Sequence, residues 1–170
     1  MAKQKTVIFI DGSNTYFAQK KSGFWLDWVK VKHFFEKQYK VLEYCYYVGL
    51  RENDKGMDNF LHKLEKIGFK VITKPVKIIL NERGERLEKA NFDVEMTADI
   101  LLYPRKFDTW ILFSGDSDFA YLNNILKKLN KSMMIFSTRR TLAWELKLKT
   151  RYYFFDEIKD LTKHKRFIKL

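Results

Sequence analysis

Three aspartates stand where the two most apolar short runs of the chain give out. VIFI, residues 7–10, ends on Asp11, and WILF, residues 110–113, leads through Ser114 and Gly115 to Asp116 and Asp118. Asp93 and Asp99, six apart, open the amphipathic stretch DVEMTADILL. A charge-free run of this length suits a central strand covered on both faces. In an open parallel sheet, ligands bind in the crevice outside the carboxyl ends of such strands. If the two runs are neighbours, Asp11, Asp116 and Asp118 meet at one rim, and Asp93 points there if its helix begins at that level. Clustered carboxylates raise one another's pKa, and a bound divalent cation removes the repulsion. Hard oxygen ligands without thiols select Mg²⁺ or Mn²⁺.

Each acid also has a local use, because Asp is a favoured helix N-cap. Asp118 precedes FAYLNNIL, Asp11 precedes a helical segment, and Asp93 lies at a first turn. Capping does not require two matched strand ends, nor the two acids of GDSD. Rival chemistries lack parts. There is no GxxxxGK[ST] and no GxGxxG. An aspartyl phosphatase expects a second Asp two residues after the first, where this chain has Ser13. Ser13 and Ser114 have no partner His to serve as base. His33, His62 and His164 are scattered and read as structural. Cys45, the one cysteine, sits in an apolar-aromatic run and reads as a buried, inert thiol.

The elements that must position these acids follow from periodicity. Strands are expected at 7–10, 41–49, 109–113, 133–136 and 152–155. Helices are expected at 14–21, at 28–38, and along Met57, Phe60, Leu61, Leu64 and Ile67, ending at Gly68. Residues 69–80 read as extended, with Pro75 marking an edge or a break, and NERGER, residues 81–86, as a turn at a hairpin tip. A helix from Asp93 to before Pro104 is expected to turn Val94, Ala98, Leu101 and Leu102 inward. Helices at 119–129 and 142–148 follow, and a basic C-terminal helix at about 157–170. Strand and helix alternate throughout, so the expected fold class is α/β: a three-layer sandwich with a mainly parallel sheet, in one domain over residues 1–170.

Composition narrows the partner. With 46% hydrophobic and 32% charged residues, the chain is globular and well solvated. The formal charge of +12 predicts an anionic partner, with nucleic acid as the leading candidate. The excess is uneven: residues 139–170 hold ten Lys or Arg against four Asp or Glu, a net of +6. Arg139, Arg140, Lys163, Lys165 and Arg166 are therefore candidate phosphate contacts. Core packing is the favoured reading for Tyr16, Trp25 and Trp28, with base stacking as the alternative. The apolar run before Asp11 is too short for a secretory signal, and no stretch approaches the ~18 residues of a membrane span. A cytoplasmic protein without membrane contact is expected.

FIDGSN (9–14), KANFDVEMTADIL (89–101) and FSGDSDF (113–119), in this order, resemble the three signature blocks of NYN domains, especially the LabA-like branch of the PIN-like nuclease superfamily. The likeness runs over about residues 6–155. It implies a parallel five-stranded sheet in the order 3-2-1-4-5. It also implies metal-dependent phosphodiester hydrolysis, usually of RNA. By position, the metal-binding acids of the family correspond to Asp11, Asp93 and Asp116, with Asp118 beside them. Asn14 would orient a carboxylate or a water. Asp99, Lys89 and Ser114 would support the site, Lys89 by meeting a phosphate. The chain departs from the family in carrying Asn91-Phe92 before Asp93, where a small residue is common. Many LabA-like members have no demonstrated activity, so a nucleic-acid-binding or regulatory module without useful turnover is the alternative to a ribonuclease. A phosphatase acting on small phosphoesters is a third reading. PIN-like domains often dimerise, which makes a homodimer an expectation too.

If the basic C-terminal stretch holds a phosphate backbone, neutralising Lys163, Lys165 and Arg166 weakens RNA binding and flattens its salt dependence. Each lost contact is expected to reduce the log–log slope by about 0.7 for a single strand. Titrations across a salt series check this, and an unchanged slope makes the stretch a merely solvated surface.

Overall fold

The computed structural model describes residues 2–80, 84–104, 106–158 and 161–163. β1 (Lys5–Asp11) runs into α1 (Gly12–Ser22), and a two-residue strand, β2 (Trp25–Leu26), precedes α2 (Trp28–Gln38). Then come β3 (Lys40–Leu50), α3 (Lys55–Lys66) and β4 (Lys70–Pro75). β5 (Lys77–Leu80) and β6 (Arg86–Lys89) form an antiparallel hairpin. α4 (Asp93–Leu101), β7 (Thr109–Phe113), α5 (Phe119–Lys128), β8 (Ser132–Ser137), α6 (Trp144–Lys149) and β9 (Arg151–Phe154) follow. A 3-10 turn (Phe155–Glu157) and β10 (Thr162–Lys163) complete the described chain.

The main sheet is parallel and six-stranded, in the order β4-β3-β1-β7-β8-β9. Counted along the chain, this is the expected 3-2-1-4-5 extended by a sixth strand. The extra strand is the 152–155 segment. Its backbone pairs with β8 from Met134 to Ser137, and Tyr153 stacks on Phe136 at 5.3 Å. β4 is an edge strand and ends at Pro75, where the sheet ladder stops and the hairpin begins.

β1 and β7 are buried along their apolar lengths, and their side chains alternate between two cores. Ile8, Ile10, Ile111 and Phe113 join the core beneath α1, α2 and α3. Val7, Phe9, Trp110 and Leu112 join the core beneath α4, α5 and α6. Phe113 is the hub of the first core, with rings of Phe35, Phe136 and Phe155 at 5.8, 5.2 and 5.9 Å. Local signals start and stop the helices. Asp27 accepts from the Val29 N–H at 3.1 Å and opens α2, and Asp54 accepts from the Met57 N–H at 2.9 Å and opens α3. Gly68, at φ 92°, takes the left-handed position just past α3.

Three expectations need correction. The inward face of α4 is Phe92, Met96 and Ile100, not Val94, Ala98, Leu101 and Leu102; Val94 and Leu102 are each 79% exposed. Both sets share a helical face, so periodicity could not choose between them. Phe92 decides it by packing on Tyr47 at 5.8 Å, and this turns the helix. No α-helix occupies the described part of 157–170. Leu161 is fully buried and its carbonyl accepts from the Asp27 N–H at 2.9 Å, which pulls the chain into β10, antiparallel to β2. Residues 164–170, with Lys165 and Arg166, lie outside the described residues, as do 81–83 of the hairpin tip. Finally, Trp28 is buried as expected, but Tyr16 and Trp25 are exposed. Cys45 is buried, and burial with the Glu43 charge beside it pushes its thiol pKa up, as an inert thiol requires. Among the described residues no helix is long and apolar enough to cross a membrane.

Met96→Ala is expected to cost about 2–5 kcal/mol of stability, as truncation of a buried Met does. Val94→Ala, on the exposed face, should stay within about 0.5 kcal/mol. Urea unfolding of the two variants checks the orientation of α4.

Candidate metal centre

Pairing puts the two critical strand ends at one level. Ile10 lies opposite Phe113, so Asp11 and Ser114 leave the sheet side by side. Asp11 does cap α1, accepting from the Asn14 N–H at 2.9 Å through Oδ1. Its Oδ2 accepts from the Ser114 hydroxyl at 3.5 Å, and the Ser114 oxygen accepts from the Asp116 N–H at 3.2 Å. Asn14 Oδ1 accepts from the Gly115 N–H at 2.9 Å. Asn14 thus orients the Asp11 carboxylate through its backbone, while its side chain ties α1 to the loop carrying Asp116. The Gly115 carbonyl accepts from the Ala143 N–H at 2.9 Å. A Cβ on Gly115 would come within 2.3 Å of the Thr141 carbonyl oxygen, and one on Gly12 within 2.6 Å of that of Tyr47. The start of α1 and the loop after β7 therefore pass too close to neighbouring backbone to carry a side chain there.

Asp118 stands at the N-cap position of α5, at φ −60° and ψ −27°, yet makes no capping bond. The Asp116 side chain does the local work instead, accepting from the Asp118 N–H at 3.1 Å. The Asp118 carboxylate is turned toward Asp116 and Asp93. Asp93 opens α4, and its N–H is capped by Asn91 Oδ1 at 2.8 Å. Lys74, on the edge strand, secures this end of α4: its ammonium donates to Glu95 Oε1 at 2.5 Å and to the Asn91 carbonyl, and lies over the Phe92 ring at 4.4 Å.

Carboxylate oxygens of Asp93, Asp116 and Asp118 all lie within 4.8 Å of one another. Asp11 adjoins them, outside that tight group. Burial pushes its pKa up to about 6. The Asp93 and Asp116 charges add to the rise, and the Asn14 N–H and the Ser114 hydroxyl oppose it. Burial also raises the Asp93 pKa; Asn91 opposes, while Asp116, Asp118 and Glu95 reinforce. The donors are all oxygen, negative and crowded. That set fits a hard divalent cation and no soft one.

The structure separates the other candidates from this cluster. Asp99 is six residues further along α4, about 9 Å along the axis, and accepts from the Tyr47 hydroxyl at 2.7 Å. Lys89 ends β6, exposed and opposite Lys77. Arg139 pairs with Glu157 and lies over the Phe154 ring at 4.9 Å. Arg140 donates to the Lys21 carbonyl at 3.0 Å, at the far end of α1. The Lys163 backbone pairs with Trp25. Sequence reasoning missed the positioning roles of Asn91, Lys74 and Gly115. For Asn91 a signal existed: it is part of the departure from the family pattern, and an Asn two residues before a helical Asp is a turn former.

The NYN domain family model matches residues 5–158, and the chain belongs to that family. It is 31% identical over 153 residues to the "Low amplitude and bright protein LabA" of Synechococcus elongatus (strain ATCC 33912 / PCC 7942 / FACHB-805), covering 88% of this chain and 82% of that protein. Its fold is similar to the crystal structure of a protein of unknown function, VPA0982, from Vibrio parahaemolyticus RIMD 2210633. There the TM-score is 0.79 at 25% identity, over 95% of this chain and 97% of the other.

Folded Asp11 holds its proton more tightly than the unfolded chain does. Its contribution to metal-free stability is therefore full below about pH 4 and is lost as the pH rises to about 6. Asp11→Asn keeps an oxygen for the Asn14 N–H and removes that loss. In EDTA the variant is expected to gain roughly 1–3 kcal/mol over wild type at pH 7 and nothing at pH 3.5. Urea unfolding across this range is the measurement.

Proposed function

We propose that the chain is a metal-dependent ribonuclease, in which Asp93, Asp116 and Asp118 hold Mg²⁺ or Mn²⁺ beside Asp11. The convergence of these carboxylates outside the ends of β1 and β7 carries the reading. Such a cation, when bound, supplies Lewis-acid activation of water and charge stabilisation at a phosphate. The residues of the chain do the rest. Asp93, Asp116 and Asp118 bind and set the position of the cation. Ser114 and the Asn14 N–H hold Asp11 with its charge toward the cluster, and Asn14 and Gly115 fix the loop. Both site and substrate are anionic, so the carboxylates repel a phosphate until a cation lies between them. The positive charge that holds the substrate must come from elsewhere, and the +12 of the chain supplies it. Membership of the NYN family supports a nucleic-acid substrate.

Asp116→Asn separates this reading from a structural one. The asparagine still offers an acceptor to the Asp118 N–H, so the fold is expected to survive. Mn²⁺ affinity by calorimetry should fall at least tenfold, and metal-dependent cleavage of single-stranded RNA should be mostly lost. RNA affinity in EDTA should hold or rise slightly, since a negative charge near the phosphate is gone. Wild-type-like metal binding and cleavage in the variant would remove Asp116 from the site. Tight RNA binding by wild type, with no cleavage under either metal, would make the chain a binding module.

A further inference from the structure

We infer that Tyr16, Phe17 and Trp25 form a stacking platform for the unpaired bases of a single-stranded nucleic acid whose backbone continues to the carboxylate rim. The inference rests on the reading of the chain as a nucleic-acid enzyme, and it names the form in which the substrate is held. The three side chains are 44%, 63% and 36% exposed. They are contiguous: the Tyr16 ring lies 5.5 Å from that of Phe17 and 5.5 Å from that of Trp25. Scattered exposed aromatics are ordinary, but a group in mutual contact marks a surface that binds something.

The platform is held rigid from below. The inner face of α1 is Thr15, Ala18 and Gln19, all buried. Thr15 donates to the Phe113 carbonyl at 3.3 Å, and Gln19 donates to the Thr15 carbonyl at 3.1 Å. Gln19 Oε1 also accepts from the Leu26 N–H at 2.6 Å, and this fastens β2 to the helix and sets Trp25 beside Tyr16. The outer face is Tyr16, Phe17, Lys20 and Lys21, all exposed. At a spacing of four, Lys20 follows Tyr16 and Lys21 follows Phe17, so each ring has an ammonium one turn on. Arg140 approaches the same end of α1 through its bond to the Lys21 carbonyl. Asp156 faces Arg139 and Arg140, and Glu157 pairs with Arg139, so the two lysines supply most of the local field.

Aromatic faces interleaved with cations match a polyanion that also presents flat, apolar faces. A single-stranded nucleic acid does both, whereas a duplex keeps its base faces stacked inside. The direction is set as well. Asp11 caps α1, and Tyr16 is five residues on, about 7.5 Å along the helix axis. A strand stacked on the rings therefore needs only a short step to lay a phosphate at the rim.

The test is fluorescence anisotropy in EDTA, which removes turnover, on the full chain. The probes are labelled 12-nucleotide single strands, the matching duplex, and inorganic polyphosphate as a base-free competitor. Tyr16→Ala/Phe17→Ala, with its fold checked by circular dichroism, should bind the single strand at least tenfold more weakly and polyphosphate as wild type does. Tyr16→Phe should retain binding. Wild type that binds none of the probes would sink the nucleic-acid reading and the platform together. Wild-type affinity in the double variant would overturn the platform alone, leaving the carboxylate site untouched. An equal loss toward polyphosphate would also overturn it, because stacking needs bases. So would unchanged RNA affinity with loss of self-association, which would assign the rings to a protein contact.

Discussion

The rim depends on one pairing. β1 and β7 lie side by side from Thr6 opposite Thr109 to Ile10 opposite Phe113. Neither strand carries a charge along its buried length, where helices cover both faces. The first acids stand where this burial ends: Asp11 as the last residue of β1, and Asp116 three residues past the end of β7. A parallel register brings both strand ends to the same edge. A slip of one residue would turn every side chain of a strand to the opposite core and break both. Burial of the central pair and convergence of the acids are therefore one fact.

Convergence alone would scatter the loops, since like charges push apart. What opposes this is a set of hydrogen bonds from uncharged donors between the loops: Ser114 between Asp11 and Asp116, Asn14 on Gly115, and Ala143 on Gly115. Helix α4 arrives from the other side and is secured separately, by Asn91 at its start and by Lys74 from the edge strand. The metal-free fold thus holds a crowded set of carboxylates whose mutual repulsion is compensated locally. The raised pKa of Asp11 comes first from burial, and the Asp93 and Asp116 charges add the mark of that tension.

Much of this was legible from residues alone because the informative signals are local. Charge-free runs ending on acids announced the central strands and the rim, and Gly68 announced the end of α3. Asp11, Asp116 and Asp118 could be placed at a single edge from strand logic, and Asp93 by the helix it opens. What was not legible depends on contacts across the fold. The face of α4 hinged on Phe92 meeting Tyr47, forty-five residues away in sequence. The C-terminal strand hinged on Leu161 finding a buried seat and on its bond from Asp27. Tyr16 and Trp25 have the composition of core residues, and only the packing of α1 on Thr15 and Gln19 leaves them outside. Lys74 carried no motif at all, and its role comes from the edge position of β4.

The order of assembly follows from the same central pairing. The residues of β1 and β7 that face each other are 103 apart in the chain. Closing so long a loop carries an entropic cost that local contacts cannot repay, and parallel sheets with distant partners form slowly. On a ribosome, β1, α1, β3 and β4 emerge first and can associate without β7. At that stage Asp11 is present, but the acids of GDSD are still to be synthesised. The growing chain consequently has no complete carboxylate cluster until the segment through Asp118 has emerged and inserted beside β1. The crowded acids are in this way kept apart during synthesis until both strands that carry them have been made.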